Sequence, residues 1–257
     1  MKTNATKRRL EEGTASYGVG MLWPSPEIAE LMGGLGFDWL WLDLEHGPFD
    51  HQALYHTVRA ADAVGLDTIL RLPKPERPGD VLPFLEVSPM GVIVPHTQSA
   101  KDVDRAVQAL KYPPVGTRSA GAMRGAGWGT ETGFAAHANR ETMVMALVED
   151  EIGIENLDEI LAVDELDAVV IGYGDLSLTM GRAKTDPEVR KVGRAAQEKV
   201  IASGKALQVT AQNGDEAREW IDKGALMVRC TMHTILQSAA RRWLESAKNE
   251  ASESRAA

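Results

Sequence analysis

The chain has 257 residues, 44% of them hydrophobic and 25% charged, and its 37 acidic side chains outnumber 28 basic ones for a formal net charge of -9. This composition suits one globular domain spanning 1–257 and argues against nucleic acid or an anionic membrane as a partner, since either would need a basic face. Cys230 is the one cysteine, so no internal disulfide forms. With no run near the ~20 apolar residues of a membrane span and a start (MKTNATKRRLEEG) too polar for a secretory signal, a cytoplasmic protein is expected.

Taken in order, the chain opens with a polar lead over about 1–14 that is expected to fray, as is the small, polar tail over about 248–257. Eight strand-like runs follow: YGVGML, FDWLWLD, DTILRL, GVIVP, MVMALVE, DAVVIG, ALQVT and ALMVRC. Between them PEIAELMGGLG, DHQALYHTVRAADAVG, AKDVDRAVQALK and DEAREWIDKG carry apolar residues three and four apart, and most close on glycine, as helices do. Buried strands alternating with helices predict a parallel sheet, and eight such units predict a (β/α)8 barrel with its active site at the C-terminal strand ends. The competing doubly wound sheet wants a GxGxxG turn after an early strand, and MLWPSPE lacks one.

The strand exits hold the chemistry. DLEHGP places Asp43, Glu45 and His46 after the second strand, and His46 is the best general-base candidate because imidazole titrates near neutrality. Arg71 ends the third strand, as a fixed cation for an oxyanion or as an ion-pair partner of Asp43. His96 follows the fourth as a weaker contender. In MVMALVEDE the period of two puts Met145, Leu147, Glu149 and Glu151 on one side. Glu151 and Asp175, each just past a buried strand, together suggest a divalent cation on hard oxygen ligands, Mg²⁺, Mn²⁺ or Co²⁺. Singly, either also suits a helix start. In GYGDLSLTMG the amides of Gly174 and Asp175 are placed to receive a small carboxylate. No lysine suits a Schiff base: Lys74 sits just past Arg71 behind a proline, and Lys205 opens its strand. The long connection from Tyr112 to about Thr130, with Arg118, Arg124 and Trp128, reads equally as a lid or as a surface excursion against a neighbouring subunit.

Together GFDWLWLDLEHGP, LRLP, GVIVPHTQSAKDVDRAVQALKYPPVGTRS, LVEDEIGIENLDEI and VVIGYGDLSLTMG, followed by DPEV, resemble the HpcH/HpaI family of metal-dependent class II pyruvate aldolases over about 18–236. The resemblance implies metal ligation by Glu151 and Asp175, and His46 as acid/base group acting through water. It also implies Arg71 stabilising the enolate oxygen, Asp43 supporting the His46 network, and Gly174 beside the pyruvate carboxylate. Glu86 falls where the family has an aspartate that raises the histidine's basicity. Glu149 replaces a glutamine that contacts the pyruvyl group, and VRCTMHTIL departs from a small, glycine-containing strand end, so that Arg229 and His233 alter the acceptor pocket or Arg229 pairs with a buried carboxylate.

The implied activity is reversible aldol cleavage of a 4-hydroxy-2-oxoacid to pyruvate, or a related 2-oxoacid, and an aldehyde. Alternatives are oxaloacetate decarboxylation, a CoA-thioester lyase, or a non-catalytic oxoacid-binding barrel. The implied partners are small oxoacids, aldehydes and further copies of the chain. A homohexamer is expected, with the final helix, TILQSAARRWLESAK, exchanged or packed between subunits. Leu236 and Trp243 then serve as contacts, or else they cover the protomer's own barrel.

Overall fold

The predicted apolar runs are strands because both of their faces are buried. In the computed structural model, which describes residues 1–73 and 81–253 with side chains as far as 248, they are β1 (Ser16–Met21), β2 (Trp39–Asp43), β3 (Asp67–Arg71), β4 (Gly91–Val94), β5 (Met143–Val148), β6 (Ala168–Ile171), β7 (Ala206–Thr210) and β8 (Met227–Thr231). All neighbours pair in parallel, in sequence order, and β8 returns to β1, so the barrel is closed. This is the expected (β/α)8 architecture, and closure leaves no unpaired sheet edge.

Strand alternation divides the apolar residues into two cores. Leu40, Leu42, Leu70, Val92, Val144, Ala146 and Val169 face outward beneath the helices, including His51–Ala63, Ala100–Leu110 and Pro187–Ala202. Trp39, Trp41, Ile69, Ile93, Met143, Met145, Leu147, Val170 and Met227 point inward and fill the barrel. Trp39 is fully buried, and it fits only because its register partner is Gly18, where a Cβ would stand 2.3 Å from the indole. The same inward parity carries Asp43 and Arg71 to the top layer, where they are direct register partners.

Three segments differ from, or add to, what the sequence suggests. The N-terminal lead is not frayed: Ala5–Glu11 is helical and closes the base of the barrel, with Asn4 and Thr6 fully buried. The Asn4 amide donates to the carbonyls of Met90 (2.8 Å) and Glu141 (2.7 Å), and Thr6 N–H donates to Asp67 (2.7 Å), so otherwise orphaned polar groups at the base are satisfied. The Tyr112–Thr130 connection, open between two readings, packs against its own protomer. Arg118 stacks on Tyr112 and donates to Leu85 O, while Arg124 pairs with Asp62 at the far end of helix His51–Ala63. Tyr112, Met123 and Ala126 build a small core of their own with Ala138. At the other terminus, helix Met232–Glu253 carries through much of the expected fraying tail, and residues 254–257 lie outside those described. Among the described residues no helix is long and apolar enough to cross a membrane.

Candidate active site

A cavity of about 770 Å³ opens at the C-terminal ends of the strands. Asp43, His46, Arg71, Glu149, Gly174 and Asp175 line it, so six of the eight residues singled out from the sequence converge. Glu86 and Glu151 do not.

Asp43 organises one wall. Its Oδ1 accepts the backbone N–H groups of Glu45 (3.2 Å) and His46 (3.1 Å), fixing the turn that carries the histidine. Both its carboxylate oxygens also pair with the Arg71 guanidinium, Nε donating to Oδ1 at 3.0 Å. Arg71 Nη1 stands 3.0 Å from Glu45 Oε2. Among the described residues two of the guanidinium's five N–H groups are in hydrogen bonds, both to Asp43, and Glu45 adds an ion pair. His46 is 63% exposed at the rim, its Nε2 3.8 Å from Glu45.

The opposite wall is acidic. Glu149, on the residue after β5, keeps the strand's inward parity and is nearly fully buried. His96 Nε2 lies 3.2 Å from Glu45 Oε1, while its backbone N–H donates to Glu149 Oε1 at 2.9 Å. This histidine, with φ +48, thus bridges the two walls. Asp175 lines the same cavity, and its negative charge acts on Glu149. Burial, with repulsion from Asp175 and Glu45, pushes the Glu149 carboxyl up to about 7 against the opposing effect of the His96 amide.

The turn after β5 separates Glu149 from Glu151. The chain turns at Asp150, whose carboxylate caps the next helix by accepting Gly153 N–H at 2.7 Å. Glu151 is the first residue of that helix, exposed and outside the cavity, because the period of two ends with the strand. Glu149, not Glu151, therefore lines the cavity with Asp175, and the inward residue two positions before it is Leu147. Glu86 is likewise not set against His46. Its carboxylate lies 3.5 Å from Arg118, and among the described residues no bond joins it to the histidine.

A divalent cation fits the carboxylate pair. Among the described residues no group of three or more His, Cys, Asp or Glu side chains is arranged around one point. Two carboxylates in one cavity, whose charges repel, nevertheless match the donor set of an ion that keeps water and substrate oxygens as its remaining ligands. Gly174 lies in the first turn of helix Tyr173–Thr179, where the amides have no intrahelical acceptor. A Cβ there would meet nothing within 4 Å. Lys205 is far from this chemistry, donating to the carbonyls of Val163 and Asp164. Lys74 lies outside the described residues.

Residues 21–239 match the model of the HpcH/HpaI aldolase/citrate lyase family. A 2-keto-3-deoxy-L-rhamnonate aldolase of Escherichia coli O157:H7 is 31% identical over 242 residues, 93% of this chain and 90% of that protein. Among solved structures, an HpcH/HpaI aldolase/citrate lyase family protein from Burkholderia cenocepacia J2315 superposes with a TM-score of 0.89 at 26% identity, covering 96% of this chain and all of that one. The citrate synthase SbnG superposes at 0.85 and 27%, over 96% of this chain and 98% of that one. On its match across most of the barrel, the chain belongs to the HpcH/HpaI aldolase/citrate lyase family.

Proposed function

We propose that this cavity carries out reversible aldol cleavage of a 4-hydroxy-2-oxoacid, releasing pyruvate or a related 2-oxoacid and an aldehyde. The observation that carries the reading is the facing of Glu149 and Asp175 in one cavity with the positioned cation Arg71. The chain is a carbon–carbon lyase, and each residue has a role in that chemistry.

Glu149 and Asp175 would hold the divalent cation, Mg²⁺, Mn²⁺ or Co²⁺, which as a Lewis acid supplies stabilisation of the oxygen charge developed on cleavage. Arg71, immobilised by Asp43 and Glu45, sets a permanent charge beside the enolate oxygen. The first-turn amides of Gly174 and Asp175 receive the substrate carboxylate. His46, on the turn fixed by Asp43 and open to solvent, moves the proton of the hydroxyl that becomes the aldehyde. Leu147, which also lines the cavity, is apolar and donates no hydrogen bond to the pyruvyl group. We further propose a cytoplasmic homohexamer; for association itself, the support is that residues 235–248 of the last helix are all exposed. Trp243 (71% exposed) and Leu236 (50%) do not cover the protomer's own barrel, which leaves them for another subunit.

The test pairs two neighbouring glutamates. With pyruvate release as the assay and Mn²⁺ titrated calorimetrically, Glu149→Gln is expected to lose the ion and more than about 100-fold in turnover. Glu151→Gln should keep both. The reverse pattern, or full turnover after exhaustive chelation, overturns the reading.

A further inference from the structure

We propose that Arg229 forms a second anion subsite in this cavity and holds a carboxylate carried by the aldehyde half of the substrate. The proposal rests on the aldolase reading above and names the class of acceptor for it.

Arg229 lies on β8, inward-facing, between Thr210 of β7 and Gly18 of β1. Its guanidinium packs over Trp41, with Cζ 4.2 Å from the ring centroid. Its Nη1 occupies the space above Gly20, where a Cβ would approach to 2.5 Å. Every other buried or half-buried arginine among the described residues has a named acceptor: Arg9 has Asp38, Arg71 has Asp43 and Glu45, Arg118 has Leu85 O, and Arg124 has Asp62. Arg229 has none among the described residues, and its enclosed Nε is unpartnered. Stacking on an indole recovers only part of the cost of taking a guanidinium out of water, so the remaining donors call for an anion. Burial and the neighbouring Arg71 lower its pKa to about 10, which leaves it fully charged at neutral pH.

The surrounding wall points the same way. Gln208 and His233 line the cavity with Arg229, and among the described residues Gln208 Oε1 and His233 Nδ1, enclosed within that wall, have no hydrogen-bond partner. These side chains make the wall around Arg229 polar. The oxoacid half is already provided for by Glu149, Asp175, Gly174 and Arg71, on or after β3, β5 and β6. The β7–β8 wall is left for the other fragment, in a cavity larger than a three-carbon oxoacid fills. Lys184, Arg190 and Arg194 line its outer rim, so the approach is cationic in a chain of net charge -9.

The test compares two acceptors that differ in one charge, 4-oxobutanoate and its methyl ester, each added to pyruvate. The wild-type protein is expected to favour the acid, and Arg229→Met should lower the acid-to-ester ratio of kcat/KM by at least about tenfold, the loss of one charged hydrogen-bond partner. Arg229→Lys should restore part of that ratio. Gly20→Ala, which displaces Nη1 and keeps the charge, should lower it less. An equal loss on acid and ester, or no preference in the wild type, overturns the proposal. So does a selective loss on oxaloacetate decarboxylation with the aldehyde ratio intact, since that places the carboxylate on the donor. Exchange of pyruvate methyl protons in deuterated water reads the oxoacid half alone. If the wild type shows neither exchange nor aldol product, the aldolase reading fails. Calorimetric binding of 4-oxobutanoate, lost in Arg229→Met and retained in Arg229→Lys, would still show the subsite, and binding indifferent to Arg229→Met would remove it.

Discussion

At the end of β5 three consecutive acidic residues meet three environments: Glu149 faces the cavity, Asp150 caps a helix and Glu151 faces solvent. The first has a measurable consequence. The folded-state pKa of Glu149 is raised from 4.5 to about 7, so the folded chain binds this proton more tightly than the unfolded one. Its contribution to stability is fully present below about 4.5 and is lost as pH rises through about 7. In chelated protein the Tm of Glu149→Gln relative to wild type should therefore climb between these limits by an order of a few °C. A difference independent of pH would show that the carboxyl is not perturbed. Gly174→Ala should keep near wild-type turnover, because its Cβ enters open space. A large loss would mean that the substrate occupies that space.

Among the elements, β1 and β2 depend on one close approach. Gly18 lies against the fully buried Trp39, and a Cβ at 2.3 Å from the ring has no room. Gly18→Ala should destabilise the protein by about 1–3 kcal/mol in urea unfolding, an overpacking cost. Adding Trp39→Leu should recover part of the loss, as coupled neighbours do. Additive losses would place the strain elsewhere. The N-terminal helix shows how a polar segment becomes structural. Nothing in MKTNATKRRL is apolar enough to predict burial, yet Asn4, Thr6 and Lys2 satisfy carbonyls and Asp67 at a base that the strands alone leave open.

For the whole molecule, the last helix is the open question that the fold poses. Ile235, Leu236, Trp243 and Leu244 are exposed on one element, more apolar surface than a solitary helix retains without a partner. Removing residues 235–257 should lower the assembly mass seen by light scattering while far-UV circular dichroism keeps its α/β signature. An unchanged mass would place the subunit interface on another face.

The barrel was legible in the sequence because its signals are local: eight apolar runs of strand length, helical periodicity between them, and charged residues at the exits. Asp43, His46, Arg71 and Asp175 follow from that pattern, since each stands at or shortly beyond the end of a recognisable strand. The choice between Glu149 and Glu151 depends on the residue where strand parity stops, and only the turn at Asp150 sets that. The partner of Glu86, the bridge made by His96 and the solitary guanidinium of Arg229 arise between segments far apart in the chain. The order of residues specified the strands and what their ends carry; closure of the sheet decided which of those ends share one cavity, because only closure brings the inward faces of β2, β3, β5 and β8 around a common axis.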